Sequence, residues 1–135
     1  MRGDYMRQEN SEKTREGLEL LTQLKEKRGG SLLDFHKRCA NDPLLLKGFN
    51  SQYEMCNAEE NTAMPRKYRE LVLMALGCSK GVPTTVKTHA KLALKHGAST
   101  DEVSEVLRLV FFYCGASELI PSVEIFDLLD GSEEL

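Results

Sequence analysis

The 135-residue chain has no tryptophan, four prolines and four cysteines. It has no apolar run near the roughly 20 residues that a membrane-spanning helix needs. Its opening stretch, MRGDYMRQENSEKTREG, lacks the apolar segment of a secretory signal, so a cytoplasmic protein is expected. A dominant sign of charge is missing too. Eighteen Lys and Arg against 21 Asp and Glu leave a net charge of −3, with the signs interspersed. That excludes the electrostatic footprint of a nucleic-acid binder, and no cluster of arginines or aromatic rings replaces it. Cys39, Cys56, Cys78 and Cys114 are dispersed with no C-x-x-C pair, so free thiols are expected. His36, His89 and His96 show neither H-x-x-x-H nor H-E-x-x-H spacing, which speaks against a metal site. Lys80, Lys87, Lys91 and Lys95 read as a solvated helix face, with attraction of an anionic ligand as the alternative.

What the chain does have is helical periodicity. Residues 1–10 are polar and read as a flexible segment. A helix is expected from Ser11, with Leu18, Leu21 and Leu24 on its apolar stripe and Gly29–Gly30 as its stop. Ser31 reads as the cap of a short helix that ends near Asn41. Pro43 suits the first turn of the next, which carries Leu46, Phe49 and Tyr53; Gly48 inside it is either a weak point or a close-packing point. After a polar loop, Pro65 opens a helix that is apolar on most sides and expected to be buried, ending around Gly77. Pro83 or Thr84 starts another, with Gly97 at its end. Ser99 or Thr100 caps a sixth, whose buried face should hold Val103, Val106, Leu107, Val110 and Phe111. The last helix is expected over 117–129, with Pro121 in its first turn and Val123, Phe126 and Leu129 at core spacing. No segment alternates like a strand. The expectation is an all-α, single-domain bundle of six to seven helices over residues 11–130.

The most informative stretch runs from Arg69 to Leu107, RELVLMALGCSKGVPTTVKTHAKLALKHGASTDEVSEVL. An Arg–Glu pair, Arg69 and Glu70, opens an apolar helix. His89 follows nineteen residues after Glu70, then an alanine- and leucine-rich half-helix, Gly97, and a capped acidic helix start at Ser99–Glu102. This ordered combination resembles the core of the carboxymuconolactone decarboxylase family, which includes the alkylhydroperoxidase D type proteins. The resemblance covers residues 65–112. It implies an alkylhydroperoxidase D-like helical fold and a homo-oligomer, a trimer or hexamer. It also implies a departure. The peroxidase branch carries C-x-x-C ahead of the histidine, and those positions hold Val82 and Thr85 here. Valine forms no thiolate, so dithiol peroxidase activity is not expected.

In the decarboxylase branch the resemblance implies loss of carbon dioxide from a small lactone acid, with His89 delivering a proton and Glu70 orienting it. That scheme requires no metal or organic cofactor. From the residues alone, a glutamate at the start of a buried helix is costly to ionise unless paired; one reading is a raised pKa that suits it to carry a proton, the other a pairing with Arg66, Arg69 or a lysine that fixes helix packing. Histidine is the usual acid or base near neutral pH. Cys78 is the one thiol near this stretch and a candidate nucleophile, with a buried packing role as its rival reading. Arg66 and Arg69 are candidates to bind a substrate carboxylate, with Thr85 beside them. Against the lyase stands a non-catalytic or accessory oligomeric module on the same fold, in which Glu70 and His89 only fix helix packing. The consecutive Phe111, Phe112 and Tyr113 cannot all face one core, which favours subunit contact.

Overall fold

The computed structural model describes residues 3–129. The expected domain end at 130 and the first two residues of the N-terminal segment lie outside the described residues. The architecture is all-α, and no strand occurs among the described residues. The helices are α1 (Ser11–Lys27), α2 (Asp34–Cys39), α3 (Pro43–Asn57), α4 (Arg66–Lys80), α5 (Pro83–Lys95), α6 (Thr100–Cys114) and α7 (Ala116–Ser122). A one-turn 3-10 segment, Glu59–Asn61, follows α3, and a second, Val123–Leu128, follows α7. The chain divides between Thr62 and Ala63 into two compact units.

The first unit packs α1, α2 and α3 around Met6, Leu20, Leu21, Leu24, Ala40 and Leu46. Each fully buried leucine contributes about 1.5–3 kcal/mol. Local chemistry sets the helix starts. The Asn10 side chain accepts from Lys13 N at 3.0 Å, and Asp42 Oδ1 accepts from Leu44 N at 3.1 Å ahead of Pro43. Gly17 allows α1 to lie against the chain at Ala40, because a Cβ there would collide with the Ala40 carbonyl oxygen. The polar start of the chain is anchored. Met6 is buried, and Asn41 accepts from Gln8 N at 3.0 Å and donates to the Tyr5 carbonyl at 2.8 Å.

The cap of α2 differs from expectation. The helix starts after Leu33 rather than Ser31, and the imidazole Nδ1 of His36 accepts the Leu33 N–H at 2.9 Å. His36 is buried between the rings of Phe35 and Phe49. Burial, helped by the Arg28 charge, lowers its pKa to about 4, so this imidazole is neutral near pH 7.

The second unit is built on α4 and α5, its most extensive helix contact, with α6 and α7 packed on α4. Its core includes Leu71, Met74, Ala90, Val103, Leu107 and Ile125. Helix α6 starts with a reciprocal capping box: Ser99 Oγ accepts from Glu102 N at 3.1 Å and Glu102 Oε1 from Ser99 N at 3.0 Å. Lys67 on α4 pairs with Glu102 at 3.1 Å, tying the two helix starts together.

Four expectations change here. Helix α4 continues past Gly77 to Lys80 and ends at Gly81, whose φ of 66° is the left-handed turn glycine supplies. Gly77 is a contact point: a Cβ on it would lie 2.9 Å from Thr85 Cγ2 and 3.0 Å from Val86 N. Helix α4 is not buried all round, since Val72 and Leu76 are about half exposed. Phe111 is not on the buried face of α6; it is 52% exposed, while Val103, Leu107 and Val110 turn inward. The last helix is not continuous. Pro121 lies near the end of α7, where its missing N–H leaves a helical bond unmade, and the chain tightens into the 3-10 segment. The changed period buries Ser122 and Ile125 instead of Val123 and Phe126.

Candidate functional site

Helices α4 and α5 are joined by two residues, Gly81 and Val82, so they form a helical hairpin. Gly77 lets the two backbones approach, and the hairpin brings Glu70 to His89. Glu70 Oε2 lies 2.6 Å from His89 Nδ1, and Glu70 Oε1 accepts from Arg66 Nε at 2.6 Å, one turn back on α4. The Glu70 side chain is 2% exposed, against 24% for His89 and 38% for Arg66. The carboxylate is therefore enclosed, with a partner on each oxygen, while imidazole and guanidinium reach solvent.

Of the two readings of Glu70, the electrostatics follow the paired one. Burial by itself pushes the carboxyl up, but hydrogen bonds from His89 and Arg66, reinforced by their charges, outweigh it and hold Glu70 below its ordinary range. The two bonds hold Glu70 as the carboxylate. A carboxylate only accepts, so Nδ1 of His89 carries the proton in this contact. That leaves Nε2 to exchange a proton with anything bound beside it, and Nε2 has no hydrogen-bond partner among the described residues.

A model of the carboxymuconolactone decarboxylase family matches residues 43–127, more than half of the chain, and spans α3 through the final 3-10 segment. The chain belongs to the carboxymuconolactone decarboxylase family. Searches of curated proteins and of solved structures return no match. No helix among the described residues is long and apolar enough to cross a membrane. Among them, too, no three His, Cys, Asp or Glu side chains gather where they could hold a metal ion.

The other residues singled out from sequence fall in different places. Arg66 spends its Nε on Glu70, so it serves first to hold the carboxylate. Arg69 is half-buried on α4, and Thr85 is half-buried with its methyl facing Gly77. Cys78 is buried in the core of the second unit, where burial pushes its thiol up despite a hydrogen bond with Ser122. A thiol held protonated there is a poor nucleophile. All four cysteines are free. Ser122 as the partner of Cys78 was not legible beforehand, since 44 positions separate them and no periodicity links them.

Proposed function

We propose that this member of the family is a cofactor-free lyase that acts on a small carboxylated substrate through His89, with Glu70 as orienting anion. The observation that carries the reading is the 2.6 Å contact between a buried, ionised Glu70 and a partly exposed His89. In a decarboxylation the carbon–carboxylate bond breaks and carbon dioxide leaves. Its electron pair passes into the conjugated carbonyl as a dienolate, and carbon then takes a proton from Nε2 of the doubly protonated imidazole. The anion beside Nδ1 orients the ring, and solvent restores the proton. The net change is one proton consumed and one carbon dioxide released. Arg66, Arg69 and Thr85 are the nearby candidates to receive the substrate, and Cys78 has no step in this scheme.

A second reading has its own support. Two hollows of the second unit, one of about 330 Å³ and one of about 530 Å³, are lined by described residues other than Glu70 and His89. That favours a non-catalytic oligomeric module in which the pair is a structural tie. The readings part on one experiment, carbon dioxide release from a panel of small lactone carboxylic acids. The lyase reading expects turnover that falls roughly 10²–10⁴-fold in His89→Gln. Turnover unchanged in His89→Gln and Glu70→Gln, or absent across the panel, favours the module.

Either reading is compatible with self-association, which we propose as a homo-oligomer. Phe112 is 87% exposed and Tyr113 is 89% exposed at the end of α6, and Leu109 and Ile120 are largely exposed nearby in sequence. Covering such rings is a common use of subunit contact.

A further inference from the structure

The smaller hollow lies where the end of α4, the start of α5 and the α7–3-10 segment come together. Its volume, about 330 Å³, falls in the range of small-molecule pockets. The absence of a side chain at Gly81, where a Cβ would meet open space, leaves one side open. Val82, Val86, Ile125 and Leu128 supply aliphatic surface, and Pro83 and Pro121 supply rigid rings. Two buried polar groups reach it, Cys78 and Ser122: the Ser122 hydroxyl gives its one proton to the Glu118 carbonyl at 2.5 Å, and burial keeps the Cys78 thiol protonated. No buried charge faces the space to receive an ion. The charged groups around it, Lys87, Glu124 and Asp127, are exposed, and carboxylates outnumber the ammonium two to one.

We propose that this hollow is a binding site for an uncharged, largely apolar small molecule, separate from the Glu70–His89 pair. Its walls reward burial of a ring or short alkyl chain. A donated hydroxyl and a protonated thiol offer the guest no charge, and the rim disfavours an anion. A carboxylate entering it loses water without meeting a countercharge at depth.

The test is NMR titration of the full chain with benzyl alcohol and, separately, benzoate, two probes of similar shape that differ in charge. Benzyl alcohol is expected to give saturable shifts at the amides of Gly77, Gly81 and Val86, and to bind roughly tenfold tighter than benzoate. Val86→Phe fills the space and should abolish those shifts. Because Val86 is half-buried, Val82→Trp, at an exposed position on the same wall, serves as a second block whose folding is checked by its own spectrum. Shifts that do not saturate, that survive in both folded variants, or that favour benzoate overturn the proposal. The readout is binding alone, so the result stands whether or not His89 is catalytic.

Discussion

Two buried side chains with opposite electrostatic fates set what single residues do here. Glu70 keeps its charge because two donors meet its two oxygens, and burial makes those bonds strong as well as necessary. Replacing it with glutamine removes the anion while keeping the shape. Glu70→Gln is expected to cost about 1–3 kcal/mol in urea unfolding, since Arg66 can still reach water. His36 gives up its charge instead. Unfolded, it takes a proton near its ordinary 6.5; folded, only near about 4. The unfolded chain therefore binds the extra proton between those values. Stability from a neutral His36 is whole above pH 6.5 and is lost as pH falls toward 4, by about 2 kcal/mol at pH 5. Urea midpoints at pH 7 and pH 5 check this, and His36→Gln should remove that part of the difference. An equal loss in the variant would assign the acid sensitivity to other groups.

At the scale of helices, three glycines in helical segments make opposite predictions from one residue type. Glycine inside a helix costs about 1 kcal/mol relative to alanine, so propensity alone says every Gly→Ala change stabilises. Gly48 on α3 is exposed with open space around a Cβ, and Gly48→Ala should raise stability by about 0.5–1 kcal/mol. Gly77 and Gly17 face neighbouring chain instead: a Cβ on Gly77 would lie 2.9 Å from Thr85 Cγ2, and one on Gly17 would collide with the Ala40 carbonyl oxygen. Gly77→Ala should lower stability by about 1–3 kcal/mol by prying α5 from α4, with Gly17→Ala at least as costly because its neighbour is a backbone carbonyl. Thermal melts of the three variants decide the signs. The sequence left the role of Gly48 open and read Gly77 as a helix end. Local pattern cannot distinguish a glycine that stops a helix from one that lets another helix approach.

For the whole molecule, the exposed end of α6 is the feature to explain. Phe112 and Tyr113 stand in solvent in a single chain, and Phe111 joins them in part. If copies of the chain bury these rings, light scattering of the native protein should show a mass that is a multiple of 15.2 kDa. A double change, Phe112→Glu with Tyr113→Ser, should shift it toward the single-chain value. A native protein that already scatters as one chain removes the oligomer.

The sequence by itself determined the all-helical class, the family, the cap of α6 at Ser99 or Thr100, and the spacing of nineteen residues between an acid and an imidazole. These signals are local, or follow a 3.6-residue period along one helix, so the chain carries them before it folds. Only the tertiary structure decided that Glu70 is a fixed anion, that Gly77 is a packing point, that Pro121 breaks the last helix into two periods, and that Cys78 is sealed against Ser122. Each depends on groups brought together from distant positions. The balance of desolvation against new partners, like the clearance between two backbones, exists only once those groups are in place.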